Sequence, residues 1–400
     1  MKKYAYLNTG KHLMLYGVLF CLPGIAPAGF LPEEIQLHGF LTQGFFHSSD
    51  NNVYGQSDDG ISPGLTEIGL NAAYQPFNRL RFAAQGLYRR AGAVDDSSVR
   101  LDYGLADLTL LTYKSGQIGI RGGRIKIPFG LYNETRDVPF THPTILLPQG
   151  IYFDRSRSLL RSADGGSFYV DQRTNYGNFA FKFNVGAPLG NNQEIRSTLL
   201  GPNAQGEFNA QPAIATQLAY EINGGEYIFA VSYMNLELDY RPSAGEPLSA
   251  GKTHIQPLLF SAQYNGEKFT LTGEYDYRWN ELRDFGPRIS DFKSISESWY
   301  VQGSYQLLAQ LQASVRYDVF YANKDDTSGK RAAAFGLPNH IAYANDWMFG
   351  LRYDINSSWM LRADYHRIHG TAWLSQADNP DRQLTVQDWD LYGLQVSFKF

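Results

Sequence analysis

From Glu34 to Phe400 apolar and polar side chains alternate with a period of two, in segments of roughly ten residues. Such strands meet an apolar medium on one face and water on the other. The last segment is the clearest: Tyr392, Leu394, Val396, Phe398 and Phe400 fall on one face, Gly393, Gln395, Ser397 and Lys399 on the other. The same alternation sets Leu80, Phe82, Ala84, Gly86 and Tyr88 against Arg79, Arg81, Gln85 and Arg89. It sets Phe269, Leu271, Tyr275 and Tyr277 against Thr270, Thr272, Glu274, Asp276 and Arg278. Further copies oppose Val315 and Tyr317 to Arg316 and Asp318, Leu351 and Tyr353 to Arg352 and Asp354, and Leu361 and Ala363 to Arg362 and Asp364.

Tight-turn sequences such as Asn175-Tyr176-Gly177-Asn178, Asn223-Gly224-Gly225-Glu226 and Asn265-Gly266-Glu267-Lys268 join neighbouring segments. Longer polar stretches lie near 47–63, 91–98, 128–166, 188–210, 239–253, 280–296, 322–345 and 370–387. Seven short turns alternating with eight long connections give about sixteen strands, with both chain ends on the short-turn side. The predicted fold is all-β, a transmembrane antiparallel barrel around a polar, water-filled lumen. A β-propeller would also suit a repeat of roughly forty residues, but it needs about four short strands per repeat where this chain has two long ones. Tyr74, Tyr227, Trp279, Trp299, Trp347, Tyr353 and Trp359 sit at segment ends, where amphipathic rings settle at the level of lipid headgroups.

The amino end has a different grammar. Lys2 and Lys3 precede an apolar run from Leu13 to Ile25, and Ala26-Pro27-Ala28 offers small residues for cleavage, so residues 1–28 are expected to be a signal peptide and 29–400 the barrel. Pro23 and Gly24 break a run already short of the ~20 residues that span a bilayer as a helix. Cys21, the one cysteine, lies in that run behind the bulky Phe20, which argues against a lipid anchor and leaves the mature chain without thiols. Cleavage removes Lys2, Lys3 and Lys11 and no acid, so the 35 basic residues fall to 32 against 39 acidic ones, a formal charge of −7. That balance argues against nucleic acid as a partner.

With these residues in view, the chain resembles sixteen-strand bacterial porins, and in particular the phosphate-selective-porin-like superfamily. The local likeness lies in Gly123-Arg124-Ile125-Lys126-Ile127-Pro128-Phe129-Gly130, and the terminal Phe400 is similar to an assembly signal of such proteins. The resemblance implies an outer-membrane location, a homotrimer and a third external loop, here 128–166, folded into the lumen as a constriction. It implies a channel for passive diffusion of small hydrophilic solutes, with no cofactor and no enzymatic activity. Phosphate specificity is not carried over, because Glu67, Glu221, Glu274, Asp276, Asp318, Asp354 and Asp364 share the expected lumen with the arginines. A surface protein acting as adhesin or receptor is the alternative.

The expected pore-lining residues are Arg81, Arg89, Arg124, Lys126, Arg278, Arg316, Arg352 and Arg362 from the strands, and Arg136, Asp137, Asp154, Arg155 and Arg157 from the third connection. Charges facing a narrow aqueous passage select ions by sign. On one reading Arg136, Arg155 and Arg157 favour small anions such as carboxylates. On the other they pair with Asp137, Asp154 and Asp164 and merely pin the connection to the wall. Gly122-Gly123 is read as a bulge, since the apolar positions change parity there from Ile118 and Ile120 to Ile125 and Ile127. His366 and His369 would point to opposite faces of one strand, which argues against a shared metal.

Overall fold

The computed structural model describes residues 35–400 apart from 191–192, 202–203, 288 and the side chain of Asp96; the leader expected over 1–28 lies outside the described residues. The strands are β1 (Ile35–Ser48), β2 (Ser62–Phe77), β3 (Leu80–Ala91), β4 (Asp95–Tyr113), β5 (Gly116–Lys126), β6 (Ser162–Thr174), β7 (Gly177–Pro188), β8 (Glu207–Ala210), β9 (Ala213–Ile222), β10 (Tyr227–Arg241), β11 (Gly251–Asn265), β12 (Phe269–Arg283), β13 (Phe292–Leu308), β14 (Leu311–Tyr321), β15 (Tyr343–Asp354), β16 (Trp359–Gly370) and β17 (Asp388–Lys399). Every pairing between them is antiparallel, and β1 pairs with β17, which closes the sheet. The short β8 pairs only with the far end of β10, so sixteen strands make the ring. At the seam, the Phe400 and Gly39 backbones exchange hydrogen bonds of 3.1 Å each. A side chain at Gly39 would meet the Phe400 ring at 2.5 Å, so glycine lets the terminal aromatic lie flat on the strand.

The seven short turns fall where the pattern sets them. Several long connections are shorter than expected, because the ladders continue above the apolar belt: β3 and β4 are joined by 92–94 alone, and 162–166 belong to β6. Beyond the belt the outer face of a strand meets water instead of lipid, so polarity there no longer marks a turn.

The outward face carries the belt. Phe82, Phe229, Phe260, Leu271, Val315, Phe349, Leu351 and Leu394 are exposed to the surroundings of the barrel. Aromatic contacts flank it toward both ends, Trp299 with Tyr317 and Trp347 toward the long connections, Tyr227 with Tyr264 and Trp359 with Phe398 toward the turns. Leu394→Arg, within this belt, is expected to cost about 2–4 kcal/mol of folding stability in lipid vesicles, whereas polar exchange at the inward neighbour Gln395 is tolerated better. Urea titrations in vesicles measure both. Among the described residues no helix is long and apolar enough to cross a membrane.

The connection 127–161 sends its hydrogen bonds to inward-facing side chains far around the ring. Gly130 N–H donates to Ser232 of β10 (3.0 Å), Leu131 N–H and Tyr152 Oη to Glu274 of β12 (3.0 and 2.7 Å), and Ile145 N–H to Asp364 of β16 (2.6 Å). Apolar clusters fill the space between. One joins Phe129, Ile151, Tyr152 and Leu159 to Met234, Leu236 and Leu259; the other joins Ile145, Leu146 and Phe153 to Phe46, Phe320 and Leu391. The interior is therefore not the uniformly wet space expected from alternation.

The alternation itself reverses at the outer ends of β10 to β12. On β10, Met234, Leu236, Leu238 and Tyr240 are buried inward, while Asn235, Glu237 and Asp239 take the outward positions. Lys252 of β11 pairs with Glu237 at 2.8 Å, and Lys293 of β13 with Glu281 of β12 at 3.0 Å.

Gly122-Gly123 forms no bulge. β5 keeps continuous register with β6 through Gly122 opposite Gly166 and Gly123 opposite Gly165, and the shift in the β4–β5 pair lies between Thr109 and Leu111. The apolar parity changes there because Ile125 turns inward beneath the connection, where it is 1% exposed.

Candidate functional site

Two sets of charges hold the connection. The first is built on β2 to β5. Glu67 and Arg89 stand on inward positions opposite one another. A register shift between Gln85 and Gly86 leaves Asp102 as an extra residue on β4, so that it turns inward beside Tyr103. Arg89 pairs with Glu67 (2.9 Å), Asp95 (3.3 Å) and Asp154 (2.6 Å). Lys126 pairs with Asp102 (2.7 Å) and with Asp137, and Arg161 with Asp102 (3.3 Å). Arg157 bonds Asp137 and reaches Glu67 (3.3 Å) and Asp154 (3.4 Å), while Arg136 reaches Asp154 (3.4 Å) and donates to the Tyr152 carbonyl (2.9 Å). Tyr54 Oη also donates to Asp154.

Burial raises the Asp137 carboxyl, but Lys126 and Arg157 outweigh it and hold the group well below the usual carboxylate range. Asp154 is likewise buried, and Arg89, Arg157 and Arg136 pull it below its ordinary value. Arg136 and Arg157 are thus in contact with Asp154, and Arg157 with Asp137 as well, the pairing that the second reading expects of them.

The second set stands on β14 to β16, beyond the seam strands β17 and β1. Arg316 of β14 donates to the Leu146 carbonyl (3.0 Å), Arg352 of β15 to that of Phe140 (3.3 Å), and Arg362 of β16 to those of His142 and Thr144 (3.0 and 2.6 Å). These arginines face inward as expected, and the connection's backbone occupies them. Arg278 pairs with Asp276 at 2.5 Å and lies over the Phe153 ring; Arg81 is inward and exposed.

Arg124 is placed differently from the expectation. It stands opposite Gly104 and Asp164, on the face that carries Ile120 and Phe168, and pairs with Asp164 at 2.7 and 2.9 Å. It belongs to the outer surface because β5 keeps its register through the glycines instead of bulging.

Between the connection, the β3–β4 turn and the β7–β9 connection lies a cavity of about 950 Å³. Arg89, Arg100, Arg155, Arg157, Arg161 and Arg196 line it, against Asp95, Asp154 and Glu194 among the described residues. Most of these arginines are engaged with carboxylates. Arg155 has no carboxylate within ion-pair distance among the described residues, and its partners are the Leu374 carbonyl (3.4 Å) and the Phe153 ring (5.0 Å). Burial, then repulsion from Arg382, pulls its guanidinium down to about 9 against the attraction of Glu194.

No protein-family model and no curated protein sequence matches the chain. Solved structures do. An anion-selective porin from Comamonas acidovorans superimposes with a TM-score of 0.57 at 13% identity, over 92% of this chain and 99% of that one. The fold is that of the bacterial porins. The outer membrane channel DcaP of Acinetobacter baumannii gives a TM-score of 0.57 at 12% identity over 92% and 97% of the two chains. OmpT of Vibrio cholerae, in trimer form, gives 0.53 at 11% over 92% and 99%.

On this porin fold, several members of the charged set escaped sequence reasoning. Asp102 was hidden because a bulge defeats strict alternation. Asp95 sits in the stretch 91–98 read as a polar connection, Arg100 lies just beyond it, and Tyr54 belongs to a connection with no periodic signal. Of the carboxylates expected inside, Glu67, Glu274, Asp276, Asp318 and Asp364 are buried on inward positions. His366 is buried against Asp346 (2.7 Å) while His369 is outward and pairs with Asp388, so they do face apart. No group of three or more potential metal ligands occurs among the described residues.

Proposed function

We infer that the chain is an outer-membrane channel through which small hydrophilic solutes diffuse passively, with anions favoured. The observation that carries the reading is the arginine-rich cavity beside the connection 127–161, lined among the described residues by six guanidinium groups against three carboxylates, within a closed barrel. Such an excess of one sign, walled by low-dielectric protein, concentrates counter-ions of the other sign. The connection is read as the constriction that narrows the lumen, since it bonds to inward side chains of β10, β12 and β14 to β16. The apolar outer belt supports the location, because only lipid suits that surface, and a cleaved leader over 1–28 would supply export. The anion-selective neighbour and the trimeric one support anion preference and a homotrimer respectively. A channel accounts for the site without a nucleophile or a bound cofactor.

Reversal potentials across a planar bilayer in a potassium chloride gradient test the selectivity. Chloride preference is the expected result, and it weakens as ionic strength rises toward 1 M, where the Debye length falls to about 3 Å. A marked preference for potassium would refute the reading.

A further inference from the structure

A second, apolar cavity of about 230 Å³ adjoins the arginine-lined one. Its walls are Phe153 and Leu159 of the connection, Leu199 of the helix Gln193–Leu200, and inward residues of the strand ends whose polarity is reversed, Met234, Leu236 and Leu282 among them. Arg155 lines both cavities and so stands at the junction between them. The side chains of Met234 and Leu236 are each 1% exposed, so the wall itself is packed; the space they border is what remains unfilled.

We propose that this pair of features is a binding site for single-ring aromatic monocarboxylates, with the ring in the apolar cavity and the carboxylate on Arg155. The inference rests on the channel reading and names its substrate class. Three observations converge. A cavity of about 150 Å³ lined by aliphatic and aromatic side chains takes benzene, and drug-sized ligands need roughly 300 Å³ or more, so 230 Å³ suits one ring. A guanidinium at the edge of an apolar space, with Glu194 of the same cavity attracting it only from beyond ion-pair distance, can still be met directly by a planar monoanion that accepts two parallel N–H bonds. Phe153, over which Arg155 and Arg278 both lie at 5.0 Å, offers an aromatic edge or face to a bound ring. A neutral ring would leave Arg155 unmatched. A phosphate would carry a second charge into apolar surroundings, which costs more than one arginine returns.

The full chain in planar bilayers, with benzoate as the probe, decides the matter. Benzoate is expected to reduce the single-channel current at concentrations about tenfold or more below those of acetate, which has the charge without the ring, and of benzyl alcohol, which has the ring without the charge. Arg155→Gln weakens the benzoate effect by about ten- to a hundredfold, the loss expected for a charge-assisted hydrogen bond, and Arg155→Lys weakens it less. Leu199→Trp, which fills the cavity from the helix side, brings benzoate down to the level of acetate. Resistance to unfolding by dodecyl sulfate before heating checks that each variant is folded, and either variant suffices for the decision. A channel that conducts but responds to benzoate no more strongly than to acetate, or less strongly than to phosphate, overturns the site and leaves the channel reading standing. If the protein does not conduct, the channel reading fails. Calorimetric titration of benzoate into the detergent-solubilised chain then judges the site alone: heat lost in Arg155→Gln supports it, and no heat from the unaltered chain overturns it.

Discussion

Replacing Arg316 and Arg362 together by alanine is expected to raise single-channel conductance severalfold and to make the current noisier. Both guanidinium groups reach from the wall to the connection's backbone, at the carbonyls of Leu146, His142 and Thr144. Each such bond to a charged donor contributes about 1.5–3 kcal/mol when buried. Their joint loss removes most of the polar hold on this stretch, leaving Ile145 bonded to Asp364 and packed with Leu146 beside Phe46. The stretch should then sample positions away from the wall, and on the proposed channel reading the passage should widen for part of the time. Planar-bilayer recordings on the heat-modifiable, folded variant give the answer. An unchanged conductance would mean that apolar packing alone fixes the stretch.

Asp154→Asn carries the largest expected loss of stability, about 3–5 kcal/mol, because one partner of a buried ion pair is removed while the others stay. Asn keeps the size of the side chain but leaves Arg89, Arg136 and Arg157 facing each other without that negative charge. Urea unfolding in lipid vesicles measures the loss. Adding Arg136→Gln should recover part of it, since one unmatched cation is removed as well. A shift below about 1 kcal/mol would mean that water screens the network as it screens surface pairs.

The barrel was legible because one face of each strand had to meet lipid, and lipid admits few exceptions. Leu394, Val396 and Phe398 could be placed from spelling alone. The interior was less legible, since a lumen side chain answers to whatever stands opposite it. Arg316 and Arg362 were rightly turned inward, but nothing in their own segments said that backbone carbonyls of residues 142–146 would receive them. Arg124 was lost because glycines permit both a bulge and a straight ladder, and the choice was made by pairing with Asp164. The run Met234, Leu236 and Leu238 did carry a signal: a strand whose oily positions swap parity halfway along has passed from one solvent into another. That signal was missed where 239–253 was taken for a loop.

The swap on β10 to β12 acts as a waterline written into the wall. Below it the molecule is a membrane protein; above it, with charge outside and oil within, it follows the rules of a soluble one. The protein thus carries its own gauge of how deep it sits, and the strand tips stand clear of the lipid as a rigid collar. At the long-connection end the strand tips are folded wall, and the oily lining of that collar is packed against the connection rather than left open.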